Sequence, residues 1–232
     1  MCDVIACEED WALEYRTGQK AYREPLTMCL DPTLWHPDIE IPADLILPRV
    51  DDELIVMHAH GNAAVRRDRG RDIKGTGAII AAVEQLRNEG RRVRLELVSN
   101  VVSAKMRYLQ VQADIVVDQL NYGRYGAQAR EAMMLGRPTI CNVNARQAAN
   151  LPLLRSLAEC PLIHATESTL VDVLRRVLES PEERAVIGNA SRKYALKWHS
   201  ADACAERYEA MYDRLVANLP PEADTPVMRE AA

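Results

Sequence analysis

A basic loop between residues 58 and 77 carries side chains suited to phosphate chemistry. It reads HAHGNAAVRRDRGRDIKGTG and ends in Gly75, Thr76 and Gly77 at the predicted start of a helix. Cations beside a helix N-terminus suit a phosphate, because backbone N–H groups and the positive end of the helix dipole converge there. A solvated basic loop with Thr76 as the helix cap would have the same composition, so these residues alone leave both interpretations open. The cations are Arg66, Arg67, Arg69, Arg71 and Lys74.

A second stretch, VVDQLNYGRYGAQAREAMMLGRPTICNV, predicts a buried strand, a glycine-punctuated turn, a short helix and another strand. Gly123 and Gly126 permit a tight turn, so backbone amides at the start of the helix can point at an anion. Tyr122 and Tyr125 have flat apolar faces and a polar tip, which suit either contact with a sugar or closure of the core edge. For Tyr122 the core edge is the favoured interpretation.

Glu131 lies about one and a half turns inside the helix that follows. An ionised carboxylate only accepts hydrogen bonds, and its two oxygens suit the neighbouring hydroxyls of a ribose. The alternative is a surface glutamate that the helix dipole favours near the N-terminus. From the residues alone, the surface interpretation is slightly favoured.

Two histidines at the end of the first predicted strand, His58 and His60, are further candidates for a phosphate or sugar contact. They lie two residues apart, hence on one face of a strand, but no other cysteine, histidine or acidic residue is spaced to complete a metal site with them. We therefore expect no metal. The more ordinary interpretation is one packed histidine and one loop histidine.

Alternating strand and helix patterns must position these residues. Near-continuous apolar strands between amphipathic helices predict an α/β fold, a Rossmann-like doubly wound parallel sheet with helices on both faces. In such a sheet, ligands lie beyond the carboxyl ends of the strands. The predicted strands cover residues 53–60, 93–98, 114–120 and 139–143, and the predicted helices cover 76–88, 103–112, 151–158, 170–179, 181–198 and 201–219.

The chain divides into three predicted parts. Residues 1–50 contain five prolines after residue 24 and predict an extended connector laid along a surface, a remnant of an interdomain region. Residues 51–200 predict the Rossmann-like domain. Residues 201–232 predict a final helix and a frayed polar tail.

Composition excludes several classes of protein. A net charge of −5 and a pI near 5.6 argue against a general nucleic-acid-binding surface. No apolar run approaches the roughly 20 residues that span a bilayer, and the N-terminus lacks a signal-peptide pattern. The six cysteines are scattered without a Cys-x-x-Cys pair, which is typical of reduced thiols in a cytoplasmic protein.

Three segments resemble glycosyltransferases of the family-four-like group. DIVVDQLNYGRYGAQAREAMMLGRP, residues 114–138, is similar to the group's pattern of a buried strand, a Gly-x-Tyr-Gly turn and a Glu-Ala-Met helix. RDIKGTG at residues 71–77 resembles its Arg-x-x-Lys-Gly-Thr segment, and PEERAVIGNASRKYALKWHS at 181–200 resembles its closing stretch. The resemblance covers about residues 50–215, with the group's order and spacing.

The resemblance implies a retaining, metal-independent transferase of GT-B architecture, with this chain as its C-terminal, donor-binding domain. Such enzymes need no cofactor beyond a nucleotide-diphosphate sugar as donor. By position, Arg71 and Lys74 would neutralise the donor diphosphate as catalytic cations, and Glu131 would hold the nucleotide ribose. The donor-binding positions that the resemblance implies are Gly75, Thr76, Gly123, Tyr125, Gly126 and Glu131.

Two departures from the pattern affect the expected function. Gly123 stands where many members have a first glutamate, eight residues before Glu131. The opening MCDVIACEEDWALEY resembles the last strand and helix before the family's interdomain crossover, so we expect the acceptor domain to be absent from this chain. The expected partners are therefore a nucleotide sugar and a separate acceptor-binding domain or a second copy of the chain. The alternatives are a non-catalytic nucleotide-sugar-binding or interaction module and, more distantly, a nucleotide-sugar epimerase.

Overall fold

A computed structural model of the chain describes residues 4–6, 20–22, 28–50, 52–60, 72–143 and 155–219. Two strands near the N-terminus, β1 (Val4–Ala6) and β2 (Lys20–Tyr22), form a parallel pair. The main sheet contains five parallel strands in the order β4-β3-β5-β6-β7. Its strands are β3 (Leu54–Ala59), β4 (Val93–Val98), β5 (Ile115–Val117), β6 (Thr139–Cys141) and β7 (Ile163–His164).

Helices connect these strands and cover the sheet. They are α1 (Thr76–Asn88), α2 (Ser103–Gln110), α3 (Ala127–Met134), α4 (Arg155–Ala158), α5 (Leu170–Glu179), α6 (Pro181–His199) and α7 (Ala201–Val216). The central strands are largely apolar because both faces of the sheet are covered: Ile55, Val56 and Met57 on β3 are all fully buried. The edge strand β4 also contains Arg94 and Glu96. The predicted α/β Rossmann-like fold is confirmed.

The bounds of α1, β4 and α5 are as predicted from the sequence, whereas other elements differ. The strands β5 and β6 are shorter than predicted, α2 ends at Gln110, and the two-residue strand β7 was not predicted. The predicted start of α6 is confirmed, since Ser180 Oγ accepts a 3.1 Å hydrogen bond from Glu183 N–H and Pro181 occupies the first turn.

Residues 28–50 lie against the α/β body as an extended segment with one short 3-10 turn, Ala43–Leu45. Leu30 forms a parallel bridge with Ser200, and Trp35 is buried in the core cluster of α3 and α6. The end of this segment is held by Gln112, which follows α2. The Gln112 side chain donates to Leu45 O at 2.9 Å and accepts from Leu47 N–H at 2.8 Å. The division into connector, domain and tail stays a prediction.

Candidate functional site

The carboxyl ends of β3 and β5 form the switch point of the sheet. These strands are neighbours, but after β3 the chain crosses to β4 on one side, and after β5 it crosses to β6 on the other. The strand order therefore reverses its direction between β3 and β5, and doubly wound sheets bind their ligands at such a point. The residues predicted to bind a donor lie on these two loops and on the helices that follow them.

Lys74 lies at this switch point, in the corner between the loop after β3 and the loop after β5. The loop before α1 runs along the end of β5, with hydrogen bonds from Leu120 N–H to Lys74 O at 3.3 Å and from Asn121 N–H to Ile73 O at 3.1 Å. The Lys74 side chain is buried, and its Nζ forms an ion pair with Asp118. The Lys74 Nζ also lies 3.3 Å from the side-chain amide of Gln128 on α3. Lys74 thus connects the loop after β3 with the loop and helix after β5.

The Gln128 amide is oriented by the backbone of Ala59. With its oxygen toward the Ala59 N–H and its nitrogen toward the Ala59 carbonyl, it forms hydrogen bonds of 3.0 and 3.1 Å. The opposite orientation would place like groups against each other at Ala59, so the pairing with Ala59 is preferred. Asp118 is then the main partner of the Lys74 ammonium among the described residues.

Asp118 was missed as a candidate residue. Its carboxylate is fully buried; Oδ1 contacts Lys74, and Oδ2 accepts a 2.6 Å hydrogen bond from Gly126 N–H. A Cβ atom on Gly126 would lie 3.3 Å from Asp118 Oδ2, so a glycine there allows the turn to approach the carboxylate closely. An acidic residue directly after a buried strand is the sequence signal that could have identified Asp118.

Glu131 is mostly buried on α3 and close to the same charges. Burial raises the pKa of Glu131 to about 7, and the negative charge of Asp118 adds to this rise. A hydrogen bond from Gln110 and the positive charge of Lys74 oppose it. Since burial outweighs these contacts, the surface interpretation of Glu131 is wrong. The structure thus joins Lys74 and Gly126 through Asp118, and the charges of Lys74 and Asp118 reach Glu131. The predicted contacts of these residues with a donor stay predictions.

His58 is the packed histidine of the predicted pair. Its ring is fully buried; Nδ1 donates to Val117 O at 2.8 Å, and Nε2 accepts from the Thr76 hydroxyl at 3.0 Å. Burial lowers the pKa of His58 to about 4, so the ring is neutral at pH 7. His60 is partly buried, and its Nδ1 has no partner within the part of the chain that the structure describes. This ring nitrogen is buried, and the predicted ligand contact of either histidine stays a prediction.

The residue that caps the N-terminus of α1 is not Thr76, which one interpretation of the sequence offered as the cap. Gly75 precedes the helix in the left-handed conformation, with φ of 67°. Asp72 Oδ1 accepts from Gly75 N–H at 2.9 Å and from Thr76 N–H at 3.3 Å. A phosphate bound to these two amides would have to displace this carboxylate, so their predicted donor contacts require a change at Asp72.

The two tyrosines of the turn differ in burial: Tyr125 lies in the core, and Tyr122 is exposed. Tyr125 is buried, with its hydroxyl 2.9 Å from the hydroxyl of Tyr194 and 3.2 Å from Nε2 of His199. Its side chain therefore packs in the core, while the predicted place of Tyr125 in a turn against the donor stays a prediction. Tyr122, expected at the core edge, is 39% exposed. The packing partners of Tyr125 lie on α6, about 70 residues later, which the local sequence does not reveal.

Arg71, the other predicted catalytic cation, lies outside the described residues, as do Arg66, Arg67 and Arg69. Its role stays a prediction. Within the described ranges, no group of three or more histidine, cysteine or acidic side chains is arranged to hold a metal ion. Those same residues contain no helix long and apolar enough to span a bilayer.

No family model and no curated protein matches this sequence. Solved structures are similar in fold. Sucrose-phosphate synthase from Thermosynechococcus elongatus matches with a TM-score of 0.61 and 20% identity, over 94% of this chain and 59% of that one. The fold is that of a GT-B glycosyltransferase half.

Two further structures have the same fold. Anabaena HepE, solved in complex with UDP and glucose, matches with a TM-score of 0.59 and 13% identity, over 91% of this chain and 63% of its own. A glycosyltransferase from Rickettsia africae matches with a TM-score of 0.51 and 11% identity, over 87% of this chain and 58% of its own. This chain thus spans about three fifths of the length of these structures, and at such identities the similarity concerns the fold.

Proposed function

We propose that this chain binds a nucleotide-diphosphate sugar at the switch point and serves as the donor-binding part of a metal-independent retaining glycosyltransferase. The observation that carries the proposal is the convergence of Lys74 and Glu131. They come from two different crossovers, yet Lys74 contacts Asp118 and lies beside Gln128, and its charge acts on Glu131. A cation and a carboxylate in one corner suit a ligand that has a diphosphate at one end and a diol at the other.

Lys74 is proposed to bind the donor diphosphate together with Arg71. When the sugar leaves the donor, negative charge increases on the diphosphate, and a fixed cation stabilises that charge most in the transition state. The ammonium of Lys74 has three N–H donors, so its bond to Asp118 does not exhaust its capacity. The Lys74 side chain is only 10% exposed, so this cation is largely shielded from bulk water, which strengthens its interaction with a bound phosphate.

Glu131 is proposed to bind the ribose. Its pKa of about 7 shows that burial makes the ionised carboxylate unfavourable where it lies. Two ribose hydroxyls would donate hydrogen bonds to that carboxylate and favour its charged form, so binding would lower the pKa. This coupling distinguishes a ligand-binding glutamate from a buried glutamate that only packs.

The proposed transfer needs a second, acceptor-binding domain. GT-B enzymes position the acceptor across a cleft from the donor, and this chain spans about three fifths of the similar structures. We propose that a separately encoded acceptor domain, or a second copy of this chain, covers the corner and excludes water from the reaction.

A non-catalytic nucleotide-sugar-binding module is the second candidate, and one observation favours it. The charge of Lys74 is already paired with the fully buried Asp118, which reduces the net positive charge available to a leaving diphosphate. Donor binding without hydrolysis or transfer in any complex would support this second candidate. Sugar transfer in complex with an acceptor domain would support the first.

Calorimetric titration with uridine, guanosine and adenosine diphosphates tests the proposal. We expect one of them to bind, and Glu131→Ala to weaken it by about 1.5–3 kcal/mol because charged hydrogen bonds to the ribose are lost. Glu84→Ala, at an exposed position on α1, is the matched control and should leave affinity unchanged. If none of the three nucleotides binds the wild-type chain, the proposed function is wrong.

A further inference from the structure

The carboxylate of Asp118 joins two groups that were expected to face the donor phosphate. One oxygen contacts the Lys74 ammonium, and the other accepts from Gly126 N–H at 2.6 Å. The backbone of Asp118 is itself fixed, because its N–H donates to Ile140 O on β6 at 2.8 Å. A rigid strand end therefore sets the positions of a cation from one crossover and of a turn from the other.

A phosphate would not readily displace this carboxylate. Asp118 is fully buried, so releasing it from Lys74 and Gly126 would leave a buried charge without partners, which is strongly unfavourable. The Gly126 amide is thus engaged by the protein. A bound anion would then reach Lys74 through the N–H donors that Asp118 does not use.

We propose that Asp118 is a positioning residue of the phosphate site: it holds the Lys74 ammonium and the Gly126 turn in the arrangement that binds a diphosphate. This inference rests on the proposed function and adds a residue that the sequence analysis did not identify. Its effect on the ligand passes through Lys74 and Gly126, since Asp118 carries the same sign of charge as a phosphate.

A positioning role and a simple electrostatic role have opposite consequences. Removing the Asp118 charge would raise the positive potential at the corner, which by itself would strengthen anion binding. Removing the same charge also releases Lys74 from its fixed position, which weakens binding that depends on geometry. In the positioning account the second effect is larger, so Asp118→Asn weakens diphosphate binding.

Asp114 provides a matched control on the same strand segment. Its carboxylate also accepts from one cation and one backbone N–H, Arg49 Nη2 at 3.0 Å and Ile55 N–H at 2.7 Å. It lies before β5, whereas Asp118 lies after it, at the end where the ligand is proposed to bind. Asp114→Asn should therefore alter stability without altering the preference for a diphosphate.

The binding experiment compares a nucleoside with its diphosphate by calorimetry. The measured quantity is the affinity for the diphosphate divided by the affinity for the nucleoside. We expect Asp118→Asn to reduce this ratio by about tenfold to a hundredfold, the effect of losing one charged hydrogen bond between Lys74 and the diphosphate. Asp114→Asn should leave the ratio unchanged. The double variant Lys74→Met/Asp118→Asn, which contains no unpaired charge, should bind the diphosphate no more weakly than Lys74→Met alone. An unchanged or increased ratio in Asp118→Asn, or additive losses in the double variant, would overturn the proposal.

A second measurement requires no nucleotide. Acetylation of individual lysines, followed by mass spectrometry, reports how firmly Lys74 is held, with the half-exposed Lys105 as the internal reference. Asp118→Asn should raise the Lys74 rate about tenfold or more relative to Lys105. Inorganic pyrophosphate should protect Lys74 in the wild-type chain and not in the variant.

The two measurements separate two failures. If no nucleotide binds but pyrophosphate protects Lys74 only when Asp118 is present, the proposed function fails and the positioning role stands. If the Lys74 rate and its protection by pyrophosphate are the same in wild type and Asp118→Asn, the positioning role is wrong, whatever nucleotide the chain binds.

Discussion

The two ends of strand β5 carry the same chemical arrangement in different surroundings. Before the strand, Asp114 pairs with Arg49 and with the N–H of Ile55; after it, Asp118 pairs with Lys74 and with the N–H of Gly126. The Arg49 side chain is 49% exposed and that of Asp114 is 19% exposed, against 10% for Lys74 and none for Asp118. The first pair attaches the extended segment to the sheet, and the second is buried at the switch point, where the ligand is proposed to bind.

This difference suits the first arrangement to a structural role and the second to the proposed ligand site. An exposed ion pair exchanges its partners with water at little cost, whereas a buried pair fixes its groups and is costly to break. A buried cation that is held in place and retains unused donors is suited to bind an anion. Glu131 on α3 is a second ionisable group buried near this end of β5, and burial raises its pKa because the charged form loses contact with water.

The largest expected effect is the loss of stability when the cation at one or the other end of β5 is removed. Lys74→Met should reduce the free energy of unfolding by about 3–5 kcal/mol, because Asp118 is left buried and charged without its partner. Arg49→Met should cost about 1 kcal/mol or less, because water replaces the lost cation. Urea denaturation at pH 7 measures both.

A matched variant checks the cause of this loss. Adding Asp118→Asn to Lys74→Met should restore most of the stability, because the double variant has no unpaired buried charge. Equal losses for Lys74→Met and Arg49→Met would show that the two ends of β5 do not differ as described.

The next effect concerns the pH dependence caused by Glu131. Its folded pKa of about 7 is above the ordinary value of 4.5, so the folded state binds this proton more tightly than the unfolded chain. The resulting stabilisation is fully present below about pH 4.5 and is lost as the pH rises through 7.

Glu131→Gln removes that pH dependence. At pH 8 the variant should be more stable than the wild type by up to about 3 kcal/mol, and the difference should vanish near pH 4. Thermal unfolding at both pH values measures it, with the exposed Glu84→Gln as control. If Glu131→Gln is no more stable than the wild type at pH 8, Glu131 is an ordinary, well-solvated carboxylate without a raised pKa.

The smallest effect tests how closely the turn approaches Asp118. A Cβ atom at Gly126 would lie 3.3 Å from Asp118 Oδ2, so Gly126→Ala should cost about 1 kcal/mol as the turn moves away. At Gly77, on the exposed face of α1, a Cβ atom meets nothing within 4 Å, and Gly77→Ala should stabilise by about 0.5–1 kcal/mol. Equal effects of the two substitutions in chemical denaturation would contradict the tight contact at Asp118.

Local patterns in the sequence predicted the sheet and most of its helices, whereas the roles of Lys74 and Glu131 came from the family resemblance and stay predictions. Apolar periodicity defines α1 and α5 because each buries one continuous stripe, and glycine or proline marks their ends. Strand β7 escaped prediction because its two residues are too few for any period. The fold class followed from the alternation of elements, which tolerates such omissions.

The partners of the site residues could not be predicted in the same way. The contact between Lys74 and Asp118 joins positions 44 residues apart, and Tyr125 packs against residues about 70 positions later. Asp72 is closer in sequence to the helix it caps, but the choice between Asp72 and Thr76 as the cap depends on the left-handed Gly75. The residue types indicated that a cation and a carboxylate are available for a ligand. Tertiary packing determines which of their hydrogen-bonding groups are already paired within the protein.

We propose above that a nucleotide's ribose binds the Glu131 carboxylate beside Lys74. The most direct test is a titration of the Glu131 carboxyl carbon by NMR, with and without a saturating nucleoside diphosphate. We predict a pKa near 7 in the free protein, and a value below about 5 in the complex because the ligand's hydroxyls stabilise the charged form. A pKa that the bound nucleotide leaves unchanged would contradict the account.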